Sequence, residues 1–188
     1  MKKALGATNA LYPTPTTLVG ATVDGSPNFI TVAHIGIMNR ATPQYLSVSI
    51  AKAHYTGAGI KENLTFSVCL PSRELVVETD YCGITTGKTT DKASLFEVFY
   101  GELKTAPMIA QCPVCMECKL DRTVDFPTHD LFIGEIIQTY AEESVLSEGV
   151  INIAEVNPLL FDMNSRNYWS LGEPVGDCWS IGKQLKRK

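Results

Sequence analysis

Apolar positions in this chain come in short runs, most of strand length. The stretch Phe29–Asn63 reads FITVAHIGIMNRATPQYLSVSIAKAHYTGAGIKEN. Two β-branched, apolar runs, Phe29–Ile37 and Tyr45–Ile50, flank a polar turn, Met38–Gln44. The second run empties into Ala51–Tyr55, and Thr56 opens a predicted helix, weakened by Gly57 and Gly59. A strand end beside a helix start gathers free backbone N–H groups and a positive dipole end. Next to an apolar wall, that is a pocket for an anion on a flat ring.

The flanking pattern predicts more strands. Thr17–Val23 is β-rich and Asp24-Gly25 is a hairpin signal, so the first strand folds back onto the run that contains Phe29. Leu64–Leu70 alternates and stops at Pro71. Ser72 precedes a predicted short helix, Arg73–Tyr81, ending at Gly83. Asp91–Phe99 carries Leu95, Phe96, Val98 and Phe99 and predicts a second helix. Val114–Leu120 alternates; Asp125–Thr128 is a turn; Leu131–Tyr140 is a strong strand in which Gly134 predicts a bulge or close contact. Ser147–Glu155 is ambiguous, and Pro158–Phe161 and Asn167–Gly172 are short extended pieces. About six hairpin-linked strands with few helices predict a mainly β fold, a closed antiparallel barrel with helical connections, and not a doubly wound sheet.

Composition narrows the class. The 188 residues are 45% apolar, enough for one full core, and the net charge is −4. That balance excludes nucleic acid as the expected partner. The basic cluster at residues 183–188 is expected to be a solvated tail. No apolar run reaches the ~18–20 residues that span a bilayer, and the N-terminal stretch is too short and broken for a secretory signal. The expected location is the cytoplasm, with the six cysteines mostly reduced.

Three motifs invite chemistry. Cys82–Thr89 (CGITTGKT) approaches a P-loop, but only three residues separate Gly83 from Gly87, and a helix precedes it where a P-loop needs a strand. Thr86, Gly87, Lys88 and Lys92 can still offer donors and charge to a phosphate. Cys112-Pro-Val-Cys115-Met-Glu-Cys118 resembles a cluster-binding run, but Arg122 stands where a fourth cysteine belongs. Buried strand thiols are the plainer reading, with a redox role for Cys112 and Cys115 left open. Three histidines exist, His34, His54 and His129, in no recognised triad order, and no G-x-G-x-x-G occurs. No metal site is expected.

In this order, FITVAHIG (29–36), YLSVSIAKAHYT (45–56), CGITTGKTTDK (82–92), APMIAQCPVCMECKL (106–120), HDLFIGEI (129–136) and YWSLG (168–172) resemble the flavin reductase-like, FMN-binding split-barrel family, and within it the flavoredoxin branch. The resemblance implies a six-stranded antiparallel split barrel in one domain, residues 1–188, with a C-terminal arm over about residues 158–188. It implies a homodimer with FMN at the subunit interface. By the same resemblance, Thr31, Val32, Ala33 and His34 line the flavin ring. Ser49, Ile50 and Ala51 lie under the ring and ribityl chain. His54, Tyr55 and Thr56 form one phosphate loop, and Thr86, Gly87, Lys88 and Lys92 the other. His129 is the catalytic candidate near flavin and nicotinamide, and Trp169 approaches from the arm. His34 stands where many relatives carry tryptophan, and Lys88 where arginine is commoner. The implied function is electron transfer from NAD(P)H through FMN to an acceptor such as free flavin or ferric iron. The alternative is an electron carrier between protein partners without a nicotinamide, and a third reading is a cysteine-based metal or redox sensor.

Overall fold

Residues 1–185 are described in a computed structural model; the last part of the basic cluster, residues 186–188, lies outside them. Seven strands and two helices frame the molecule: β1 Thr17–Val23, β2 Ser26–Val32, β3 Ile35–Asn39, β4 Tyr45–Ala51, α1 Thr56–Asn63, β5 Thr65–Leu70, α2 Val76–Ile84, β6 Val114–Asp125 and β7 His129–Ala141. The strands form one antiparallel sheet in the order β2-β1-β5-β6-β7-β4-β3.

That order dictates the shape. β2 and β3 are the two edges of the sheet, yet only Ala33 and His34 separate them in sequence. Seven flat strands would hold the edges about 29 Å apart at about 4.8 Å per step. A two-residue link reaches roughly 11 Å. The sheet must therefore curl until its edges meet, and it does so as a barrel with a seam between β2 and the β3–β4 hairpin. The Ser49 N–H donates to the His34 carbonyl at 2.9 Å, which extends the β3–β4 ladder by one residue into that link. The expected run Phe29–Ile37 is thus two strands, broken where the chain steps from one edge to the other, and the main sheet has seven strands instead of six.

The strands bury both faces. Inward, Val19, Ala21, Ile30, Val32, Val48, Ile50, Phe66, Val68 and Phe132 fill the barrel, and Ile60 of α1 joins them. Outward, Leu18, Phe29, Cys69 and Cys115 form a second core beneath Met108, Ile109 and Phe96. Two glycines are required by contact. A Cβ on Gly59 would strike the Thr22 carbonyl, so glycine lets α1 lie on β1. A Cβ on Gly134 would sit 2.5 Å from Phe66 Cζ, and the β6–β7 register shifts there.

Other expectations are corrected. Arg73–Tyr81 is a 3-10 turn, Arg73–Leu75, followed by α2, which runs on through Gly83 to Ile84. Asp91–Phe99 is not a helix. The Asp91 carboxylate accepts from the N–H groups of Ala93 and Ser94 at 3.1 and 3.2 Å and closes a single 3-10 turn, Ala93–Leu95. Val98–Phe99 then pairs with Met108–Ile109 as a short strand over the second core. The C-terminal segment forms a hairpin, Leu160–Asp162 and Asn167–Trp169, which pairs with Thr14–Pro15. Among the described residues, no helix is long and apolar enough to cross a membrane.

Candidate functional site

The seam opens into a groove of three neighbouring cavities that share lining residues. The first, about 330 Å³, is lined by Thr31, Val32, Ala33 and His34 from the end of β2, by Ser49, Ile50 and Ala51 from the end of β4, and by His54 and His129. His129 is the register partner of Ala51, which places it on the same rim. All three histidines of the chain line this one cavity. The third cavity, about 270 Å³, shares Ile50, Ala51 and His54 with the first, and the second, about 520 Å³, shares Tyr55 and Lys88 with the third. Gly87, Lys88 and Lys92 line the second cavity with Asn28. The groove therefore runs from an apolar wall at Val32 and Ile50 to a basic end at Lys88.

Sequence reasoning expected the C-terminal arm here through Trp169 and missed the residues that form the roof. The C-terminal hairpin supplies Phe161, Met163 and Tyr168, and α2 supplies Asp80, Gly83 and Ile84. Phe161 meets Tyr12 edge-on at 6.1 Å, and Tyr168 at 5.9 Å. Tyr168 donates to Asp80 Oδ1 at 3.0 Å, and burial together with that bond pushes its phenol up to about 12. Trp169 is half exposed and lines none of these three cavities, although its neighbour Tyr168 lines the first.

Thr56 and Thr86 line none of these cavities. The Thr56 hydroxyl is fully buried and accepts from Asn28 Nδ2 at 2.7 Å. The Thr86 carbonyl takes the N–H groups of Thr89 and Thr90, and its hydroxyl that of Lys88, so Thr86 shapes its own loop. Lys92 is 3% exposed and donates to the carbonyls of Cys82 and Thr85 at 3.1 and 3.3 Å. These carbonyls end α2, where a cation is favoured by the helix dipole. Lys88 is exposed, and its ammonium has no hydrogen-bond partner among the described residues.

Two local features leave donors available. α1 begins after Tyr55 with no side-chain cap, and Tyr55, Gly57 and Ala58 at its start line the third cavity; the Ala58 N–H already donates to the Tyr55 carbonyl at 3.2 Å. Thr16 lines the first cavity, and its buried hydroxyl has no partner. Two of the imidazoles are shifted toward the neutral form. Burial, then the nearby His129, keeps His34 below its ordinary value; burial, then Lys92 and His129, do the same for His54. Tyr12 Oη and His34 Nε2 lie 2.9 Å apart, and the His34 and His129 rings are 6.1 Å apart. Burial lowers the Lys92 pKa and pushes the Cys82 thiol up to about 11.

Known proteins share this architecture. A flavoredoxin from Methanosarcina acetivorans is 44% identical, with 98% of this chain and 99% of that one covered and a TM-score of 0.95. The flavoredoxin of Desulfovibrio vulgaris (Miyazaki F) is 37% identical over 97% of this chain and 100% of that one, at a TM-score of 0.89. An uncharacterized protein of Archaeoglobus fulgidus is 32% identical over 129 residues, 68% of this chain and 72% of that protein. The profile described as flavin reductase like domain matches residues 9–170, from the segment before β1 to the C-terminal hairpin that roofs the groove, and the chain therefore belongs to that family.

Proposed function

We propose that the groove holds one FMN, with its ring against Val32 and Ile50 and its phosphate at the Lys88 end, and that the protein passes electrons from NAD(P)H through that flavin to an acceptor. The observation that carries the reading is the continuity of the groove, an apolar wall joined through His54 and Tyr55 to a basic loop. The donor set fits the cofactor. An anion meets an uncapped helix start and the unpaired Lys88 ammonium, and a ring carbonyl meets the unpartnered Thr16 hydroxyl. Bound FMN supplies the hydride and single-electron chemistry; the protein binds, orients and tunes it.

The residues have separable tasks. Val32, Ile50 and Phe161 exclude water from the ring, and the backbone of Ala33 and His34 lies along it. His54, Tyr55 and the α1 amides bind the ribityl–phosphate end, while Lys92 fixes the loop that presents Gly87 and Lys88. His129, on the same rim as Ala51, is the group that orients a nicotinamide or acceptor. A homodimer accords with the apolar stripe Val77, Tyr81 and Ile84, exposed on α2 beside the first cavity.

The likeness to flavoredoxins at 44% and 37% identity favours a second reading, an electron carrier that uses no nicotinamide. Anaerobic mixing of the flavin-loaded protein with NADH or NADPH decides between them. Prompt bleaching near 450 nm supports the reductase. Absence of bleaching, with reduction by ferredoxin, supports the carrier.

A further inference from the structure

The second core holds thiols that the flavin groove does not use. Five of the six cysteines are buried and free, and only Cys178 is exposed. Cys69 on β5 and Cys115 on β6 are direct register partners. The Leu120 N–H donates to the Leu64 carbonyl at 2.8 Å, one step beyond the paired strands. Hydrogen-bonded pairs therefore fall at Phe66↔Cys118, Val68↔Met116 and Leu70↔Val114. Cys69↔Cys115 is a non-hydrogen-bonded pair, where Cα atoms approach to about 4.5 Å. That separation lies within the roughly 4.4–6.8 Å that a disulfide bridges. Both side chains leave the sheet on the same, outward face, opposite to Phe66 and Val68 in the barrel.

Cys112 completes the group. The Cys115 thiol lies over the preceding turn, 3.4 Å from the Ile109 carbonyl and 3.9 Å from that of Cys112. Cys69, Cys112 and Cys115 lie together in the second core. A cavity of about 230 Å³, lined by Cys112, Cys115, Pro113, Phe99, Tyr140 and Glu142, opens from Cys112 and Cys115 to the surface. Cys69 lies behind Cys115, away from that cavity.

We propose that Cys115 and Cys69 form a thiol–disulfide exchange site, served by the cavity beside Cys112 and reactive with small, low-molecular-weight disulfides. The Cys115 sulfur attacks one sulfur of the entering disulfide and releases one thiol, leaving a mixed disulfide on Cys115. The Cys69 sulfur then attacks the Cys115 sulfur and releases the second thiol. Two protein thiols become one Cys69–Cys115 disulfide, their two protons leave on the two released thiols, and the small disulfide is the species reduced. Cys112 is a positioning residue beside the mouth and is not consumed.

The test uses the full chain with Cys178→Ser, so that the exposed thiol does not react, and cystamine as the probe. After acid quench, denaturing alkylation and digestion, mass spectrometry is expected to find the Cys69 and Cys115 peptides joined and two alkylatable thiols lost, with recovery in dithiothreitol. Cys112→Ser is expected to keep the Cys69–Cys115 link, and Cys69→Ser to leave a cysteamine adduct on Cys115. Five alkylatable thiols after cystamine treatment, or a link that joins Cys112 in place of Cys69, overturns the proposal. The parent Cys178→Ser protein alone decides the matter if a core variant fails to fold.

Discussion

Replacing Lys92 with methionine separates two tasks that one ammonium can perform. Lys92 is 3% exposed, and its Nζ donates to Cys82 and Thr85 carbonyls at 3.1 and 3.3 Å, at the end of α2. Methionine keeps the apolar stem and removes both bonds. Charge-assisted hydrogen bonds contribute about 1.5–3 kcal/mol each, and the desolvation that lowers the Lys92 pKa offsets part of the sum. The expected loss is about 2–4 kcal/mol, or a melting-temperature fall of about 4–16 °C at about 2–4 °C per kcal/mol for a chain of this size. Urea unfolding of the flavin-free protein measures it, and a fluorescence titration with FMN measures the binding consequence, expected within about threefold because Lys88 meets the phosphate. An unchanged unfolding midpoint with FMN affinity weakened tenfold or more refutes the reasoning. Lys92 would then grip the phosphate and not the helix end.

Three further outcomes are expected. Gly134→Ala brings a methyl to 2.5 Å from the fully buried Phe66 ring at the β6–β7 bulge, and overpacking should destabilise by about 1–3 kcal/mol, read as a lower melting temperature. His34 and His54 have folded-state pKa values below the ordinary 6.5, so the unfolded chain binds protons more readily. Their contribution to stability is complete above pH 6.5 and is lost as pH falls through the folded values. The urea midpoint should drop on acidification, and His34→Gln should shrink that drop; a drop of unaltered size contradicts the assignment. Ile84→Glu places a charge on the exposed α2 stripe and should convert the proposed homodimer to a monomer in analytical ultracentrifugation, whereas a dimer unchanged by the substitution removes that face from the interface.

Much of the fold was legible because it rests on local chemistry. Asp24-Gly25 announces the β1–β2 hairpin, and both residues adopt positive φ, 49° and 76°. Gly134 marks the bulge because no larger residue fits over Phe66. What was not legible depends on long-range closure. The apolar run continues from Phe29 to Ile37, and although its alternation slips phase between Val32 and Ile35, nothing local says that Ala33 and His34 carry the chain from one sheet edge to the other. The roof of the groove comes from Phe161 and Tyr168, far along the sequence, held down by pairing with Thr14–Pro15. Residue type also conceals partner choice. Lysine at 92 and threonine at 56 read as phosphate donors, yet their polar atoms turn to the Cys82 and Thr85 carbonyls and to Asn28. Lys88, four positions earlier in the loop, has no such partner among the described residues.

The most direct test of the FMN assignment is a paired titration of wild-type protein and Lys88→Glu with FMN and with riboflavin, which lacks the phosphate. The groove reading predicts that charge reversal weakens FMN by about tenfold or more and leaves riboflavin within about twofold. Equal FMN affinity in the two proteins, or an equal loss for both flavins, contradicts a phosphate seated at Lys88.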